Sequence, residues 1–201
     1  MAGCSKLRKA DCVTTNGCKW EKRCVRASPP KAQTTNPKPA AFLTRSERQV
    51  IIEETQPDVN FTSSFFAEAE LFLFAICKHI FRSNKIKKYS ASTIKKQFTS
   101  KRWPEISALV YATIAKSLLE SKTEVKYPKT FKTAFEKNFP SVEIDDYGLV
   151  TLHATMEYFL AEFMMTVVPS KPGRANGKDL RNALTQDEEW NNLLKVCSLS
   201  L

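Results

Sequence analysis

Between Thr62 and Phe81, apolar residues fall at Phe65, Phe66, Ala69, Phe72, Leu73, Ile76, Cys77 and Ile80, the stripe of an α-helix. Leu71, Phe74 and Phe81 widen that stripe around the cylinder, so the helix must be covered on more than one side. It is a central helix and not a surface one, and this requirement shapes the reading of everything around it.

The flanking segments are also helical in period, and no run shows convincing strand alternation. TRSERQVIIEET (44–55), with Thr44 as a cap, is a short helix ending before Pro57. After the central helix comes a basic loop, RSNKIKKY. A short helix follows over TIKKQFTSKR (93–102), then a longer one opened by Pro104 and running through EISALVYATIAKSLLES. The polar joint KTEVKYPK leads to a second half with the same order. TFKTAFEKN is short, LVTLHATMEYFLAEFMMTVV (149–168) is long, and KDLRNALTQ (178–186) is short. Landmarks match at similar spacing: 83 residues from Pro57 to Pro140 and 86 from Lys88 to Arg174. Such a unit cannot cover its own long helix, so two must clasp, and carrying both in one chain makes the partner intramolecular.

The charge is uneven. The chain has 31 Lys plus Arg against 21 Asp plus Glu, a formal charge of +10 and a pI near 9.3, which points to a polyanion or an acidic surface as partner. Residues 1–41 hold nine of the basic residues and only two acids, leaving the rest near neutral. The stretch ASPPKAQTTNPKPA has little to bury and several prolines, so it reads as a flexible linker with folded structure beginning near Phe42. The expected organisation is therefore 1–41 as a basic cysteine-containing tail and linker, 42–121 as the first folded half and 122–201 as the second. The longest apolar run, LFLFAICKHIF, is broken by Lys78 and His79, and the polar start has no signal-peptide stretch. The expectation is an intracellular protein, or one packaged from an intracellular pool, with no membrane partner.

Specific segments carry a family resemblance. MEYFLAEF, a basic loop with Arg174, and LRNALTQDEEWNNLLKV resemble the second half of histone 2A. VIIEETQPDVNFTSS, STIKKQF and WPEISALVYATIAKSL resemble histone 2B. The order 2B then 2A in one chain is similar to the fused histone doublets of giant DNA viruses of the marseillevirus type, over roughly Phe42 to Val196. This resemblance implies an all-α fold of two tandem histone folds in an intramolecular handshake dimer. It also implies non-enzymatic, sequence-independent wrapping of double-stranded DNA with a histone 4–histone 3 doublet or tetramer. The implied location is the virion and the viral factory or nucleus of the infected cell. The alternative is a chromatin-associated regulatory protein that uses the same fold as a docking platform.

Phosphate contacts need hydroxyls, helix N-termini, Lys and Arg. Arg82, Lys85, Lys87, Lys88, Lys95, Lys96, Lys101 and Arg102 form a run with no acid between them. By resemblance, Ser90 takes a hydroxyl position of the second loop, and Thr62, Ser63 and Ser64 open a helix that faces phosphate. Arg174 takes the place of the family's minor-groove arginine, with Lys171 and Lys178 beside it. The loop SVEIDDYG departs from the pattern, because Glu143, Asp145 and Asp146 stand where basic residues are expected. Also by resemblance, Glu105, Glu157, Glu162, Asp187, Glu188 and Glu189 converge as an acidic patch for partners with basic anchors. Two of its usual acids are replaced by Met165 and Thr113. Glu157 and Glu162 are about 140° apart around a helix, so local geometry alone does not bring them together. Each central helix is expected to be about one turn shorter than the family's, with Pro169 stopping the second.

Cys4, Cys12, Cys18 and Cys24 lie within 21 residues, but their spacings do not match ordinary zinc knuckles. Disulfides, a zinc site and reduced thiols all remain open, with no other cofactor expected. His79 and His153 fall inside apolar helices and suit a core role better than a catalytic one.

Overall fold

The computed structural model describes residues 39–83, 86–99, 101–121 and 127–197, with the backbone of Cys18–Glu21 and Arg23–Arg26. The chain divides into two units, Met1–Lys38 and Pro39–Leu201. The first contains an antiparallel hairpin of β1 (Cys18–Glu21) and β2 (Arg23–Arg26), in which Cys18 stands opposite Arg26 and Trp20 opposite Cys24. The sequence reading places no strand there. Cys4 and Cys12 lie outside the described residues.

Among the described residues, the second unit is all-α apart from two two-residue strands. It contains α1 (Arg45–Thr55), α2 (Ser63–Ile80), α3 (Ala91–Lys95), α4 (Pro104–Glu120), α5 (Lys129–Asn138), α6 (Asp146–Thr166), α7 (Gly177–Gln186) and α8 (Glu188–Val196). The strands are β3 (Asn60–Phe61) and β4 (Arg174–Ala175). Among the described residues, no helix is long and apolar enough to cross a membrane. The unit starts slightly before the expected Phe42, because the Asn138 side-chain amide donates to the Ala40 carbonyl and its oxygen accepts the Ala40 N–H, each at 2.8 Å.

Polar side chains begin most of these helices. Thr44 and Glu47 form a capping box on α1, Ser90 and Thr93 one on α3, and Asn176 and Asp179 one on α7. Thr62, Asp145 and Asp187 cap α2, α6 and α8. Asp187 also ends α7, where the short helix over 178–186 was expected to stop, so the two last helices are hinged at one residue. The helix expected over 93–102 is five residues long, at Ala91–Lys95. Beyond it the backbone tightens into i→i+3 bonds, Gln97 N to Ile94 O and Phe98 N to Lys95 O. This tightening carries Phe98 inward, where its ring meets Phe159 edge-on at 5.6 Å.

α6 is the hub. It packs against α1, α2, α3, α4 and α7 and is buried nearly all round, including Thr151 and Thr155 at zero exposure. It ends at Thr166, three residues before Pro169. The two long helices touch where the Cys77 thiol, in the last turn of α2, lies 3.6 Å from the sulfur of Met156 at the middle of α6, and where Phe72, at the middle of α2, meets Phe163. Phe42, Phe65, Phe72, Phe98, Phe131, Phe135, Phe159 and Phe163 are all fully buried. Each contributes up to about 3 kcal/mol of transfer free energy.

The halves interlock at their loops. β3 of the first half pairs in parallel with β4 of the second, Asn60 N donating to Gly173 O at 2.8 Å and Thr62 N to Ala175 O at 3.0 Å. At the opposite end the roles reverse. Tyr89 N donates to Glu143 O at 2.8 Å, and Asp145 N donates back to Tyr89 O at 3.0 Å. Each pairing joins the loop before one long helix to the loop after the other.

Candidate nucleic-acid interface and acidic face

At the first loop junction, Lys171-Pro172-Gly173-Arg174 closes a turn in which Arg174 N donates to Lys171 O at 3.0 Å. Proline at the second position and Gly173 at φ +66 at the third follow type II turn chemistry. The turn leaves Lys171 and Arg174 exposed next to the start of α2. Thr62 spends its hydroxyl accepting Phe65 N and shares a 3.0 Å hydrogen bond with Ser64. The hydroxyl of Ser64 also accepts Gly177 N at 3.3 Å, which ties the start of α7 to the start of α2. Gly177 permits this approach, since a Cβ there would lie 2.7 Å from the Ser64 carbonyl oxygen. Thr62, Ser63, Ser64, Lys171, Arg174 and Asn176 consequently line one hollow of about 320 Å³. Five of these six were singled out from the sequence, in segments more than a hundred residues apart. Lys178 is exposed on the first turn of α7. Asn176 was not singled out, although Asn-x-x-Asp before a helical stripe is a capping-box signal.

The second junction has mixed charge. Lys88 lines a hollow with Lys132, Glu136, Glu143 and Asp146. Two of the loop's acids have structural partners: Asp145 accepts Gly148 N at 2.6 Å, and Asp146 accepts the Tyr127 hydroxyl at 2.9 Å. Arg82, Lys87, Lys88, Lys96, Lys101 and Arg102 are exposed, whereas Lys95 lies over the Tyr111 ring at 4.3 Å. The hydroxyl of Ser90 is occupied in capping α3. Lys85 lies outside the described residues.

On another face Glu105, Glu162 and Glu189 surround the Tyr158 hydroxyl, which burial and these three carboxylates push well above the ordinary tyrosine range. Burial raises the Glu162 carboxyl, Asp187 adds to that, and the hydrogen bond from Tyr158 opposes it. Glu189 has a further task. Trp103 provides no side-chain cap for α4, and the Glu189 carboxylate accepts the N–H groups of Glu105 and Ile106, each at 3.0 Å. Glu188 is exposed beside it.

Glu157 belongs to a different electrostatic neighbourhood. Burial raises its carboxyl, His153 opposes that, and Glu47 and Glu54 raise it further. His153 Nε2 lies 2.9 Å from Glu47 and its Nδ1 lies 3.4 Å from Glu157. Burial likewise pushes Glu47 up, but hydrogen bonds from Thr44 and His153 outweigh it and leave this carboxyl below its ordinary value. Met165 is half exposed, and the Gln56 side chain donates to the Met164 carbonyl at 2.9 Å. Cys77 and Cys197, the cysteines whose side chains are described, are free thiols. Burial raises both, Cys197 to about 12.

No protein-family model matches the chain, and no curated protein matches it either.

Proposed function

We propose that the chain is a fused histone 2B–histone 2A doublet that wraps DNA without reading its sequence, in particles completed by a histone 4–histone 3 doublet. The reciprocal loop pairing carries this reading. A handshake of two histone folds requires each half's first loop to lie parallel to the other half's second loop, as β3 lies beside β4 and Tyr89 beside Ile144. The first junction then offers what a phosphate needs: two helix N-termini, hydroxyls, Arg174 and Lys171 on one exposed surface. Arg174 would enter the minor groove, with Lys178, Lys87, Lys88, Lys96 and Ser90 along the flanking backbone. Glu105, Glu162, Asp187, Glu188 and Glu189 would receive basic anchors of other proteins. The protein would act without chemistry of its own, in the virion and in the compartment where viral DNA is handled.

The test is nuclease protection after assembly with a histone 4–histone 3 doublet on long DNA, with partner-free and tail-less controls. A discrete fragment that requires the partner, near or below the ~147 bp of an ordinary nucleosome, supports packaging. A smear matching the partner-free control rejects it.

The acidic second junction favours another reading, a chromatin-associated regulator using the fold as a docking platform. Glu136, Glu143 and Asp146 beside Lys88 should hold a phosphate poorly. Strong salt dependence of DNA binding by the tail-less fold would favour packaging, and salt-insensitive or absent binding the regulator.

A further inference from the structure

His153 is held between two carboxylates on two helices. Glu47, on α1, places Oε1 at 2.9 Å from Nε2, while its Oε2 is fixed by the N–H and hydroxyl of Thr44. Glu157, one turn along α6, places Oε2 at 3.4 Å from Nδ1. The edge of the imidazole packs against Phe131 of α5, with centroids 4.9 Å apart, so the ring has little freedom to turn away. Glu54 of α1 adds negative field. A neutral imidazole has one N–H, so with an ionised carboxylate at each nitrogen, one of the two contacts sets lone pair against lone pair. Among the described residues, neither Glu47 nor Glu157 has a lysine or arginine within ion-pair distance. A cation shared at one of these contacts, a proton or a metal ion, removes that clash.

We propose that Glu47, His153 and Glu157 form a binding site for a divalent transition-metal ion of the zinc class, bridging α1 of the first half to α6 of the second. The donor atoms all lie within 4.8 Å of one another. The 2.9 Å between Glu47 Oε1 and His153 Nε2 is close to the roughly 3 Å between two ligands at right angles on an ion at about 2.0–2.2 Å, the geometry of an expanded shell completed by water. Glu157 accepts the Nδ1 proton, which fixes the tautomer that offers Nε2 to the metal and makes that nitrogen a better donor. Glu47 Oε1 and His153 Nε2 are the two protein ligands, Glu157 orients the ring from its other nitrogen, and water completes the coordination. The ion supplies positive charge beside the carboxylates and pins α1, the helix the first half contributes here, onto the hub helix.

The experiment uses the full chain with the tail cysteines removed as competitors, Cys4→Ser, Cys12→Ser, Cys18→Ser and Cys24→Ser together. Zinc is titrated by calorimetry, and thermal unfolding is followed with and without zinc at about pH 7.5. Expected results are one zinc per chain, a raised midpoint, and loss of both in His153→Gln. Glu157→Gln should weaken binding about 10–100-fold. Glu47→Gln keeps the capping box and loses the anionic ligand, so it serves if His153→Gln does not fold. No zinc uptake by the chain lacking the four tail cysteines overturns the proposal and leaves a cluster satisfied by a proton alone. Uptake unchanged in both the histidine and Glu47 variants overturns it as well.

Discussion

The carboxylate of Glu189, at the start of α8, accepts the backbone N–H of Glu105, at the start of α4, at 3.0 Å, with Ile106 N–H on its other oxygen. An acid from the second half thus stands in for the cap that Trp103 does not provide. Replacing it leaves two helix donors without protein partners. We expect Glu189→Ala to cost about 0.5–2 kcal/mol in urea unfolding, the range of a lost N-cap. Glu188→Ala, one residue earlier and exposed, should stay within about 0.5 kcal/mol of the parent. Equal losses for the two would mean that the α4 cap is not a stabilising contact.

Arg174 and Gly177 separate charge from geometry at the first junction. Arg174→Ala removes an exposed cation from a turn fixed by Pro172 and Gly173, so folding should be unaffected. DNA affinity should fall by similar amounts on unrelated sequences, and the slope of log affinity against log salt should drop by about 1. Gly177→Ala keeps every charge but forces α7 away from the Ser64 carbonyl. It should lower stability and DNA affinity together. A sequence-dependent loss for Arg174→Ala would point to base reading and away from a packaging role.

Legibility in the sequence followed the range of the forces. Periodicity located the long helices because burial on several sides leaves apolar residues all round, and caps such as Thr44 and Thr62 are local signals. The short helix after Ser90 was overestimated because its end is set by the tertiary pull on Phe98, which no local pattern records. The basic and hydroxyl residues of the first junction were nameable, but their meeting was not, since it depends on a parallel pairing of two residues per strand. Five of the six acids were legible as a group only through resemblance. The division that sets Glu157 apart with His153 and Glu47 is a matter of helix phase and of the helix packed against it. The capping role of Glu189 was hidden for the same reason: its donors lie 83 and 84 residues away.

Glu162 is held as a carboxylate at a cost. Its folded value lies above its unfolded one, so its ionisation destabilises the fold at neutral pH, and that penalty fades as pH falls through the raised value. Glu162→Gln should therefore stabilise the protein at pH 7, by no more than about 1 kcal/mol because the group is only partly shielded from solvent. The same variant should bind arginine-rich peptides more weakly. Thermal unfolding paired with peptide titration tests both, and a destabilised variant would refute the assignment of a strained functional acid.

His79 gives the opposite dependence. Burial lowers its value, Arg82 and Arg102 lower it further, and its hydrogen bond to the Val196 carbonyl only partly offsets them. Its Nδ1 is buried without a hydrogen-bond partner. The fold therefore favours neutral imidazole while the unfolded chain protonates near its ordinary value of about 6.5. In the window below that value the unfolded state binds more protons, so stability rises with pH there. His79 thus contributes stability that is present above about pH 6.5 and lost as pH falls toward its depressed folded value. His79→Gln cannot take up the proton, so its urea midpoint should fall less between about pH 7 and pH 5 than the parent's. Added salt should shrink the difference by screening Arg82 and Arg102, both exposed. Parallel pH profiles for parent and variant would mean that His79 does not titrate differently on folding, and that burial and the two arginines do not hold it neutral.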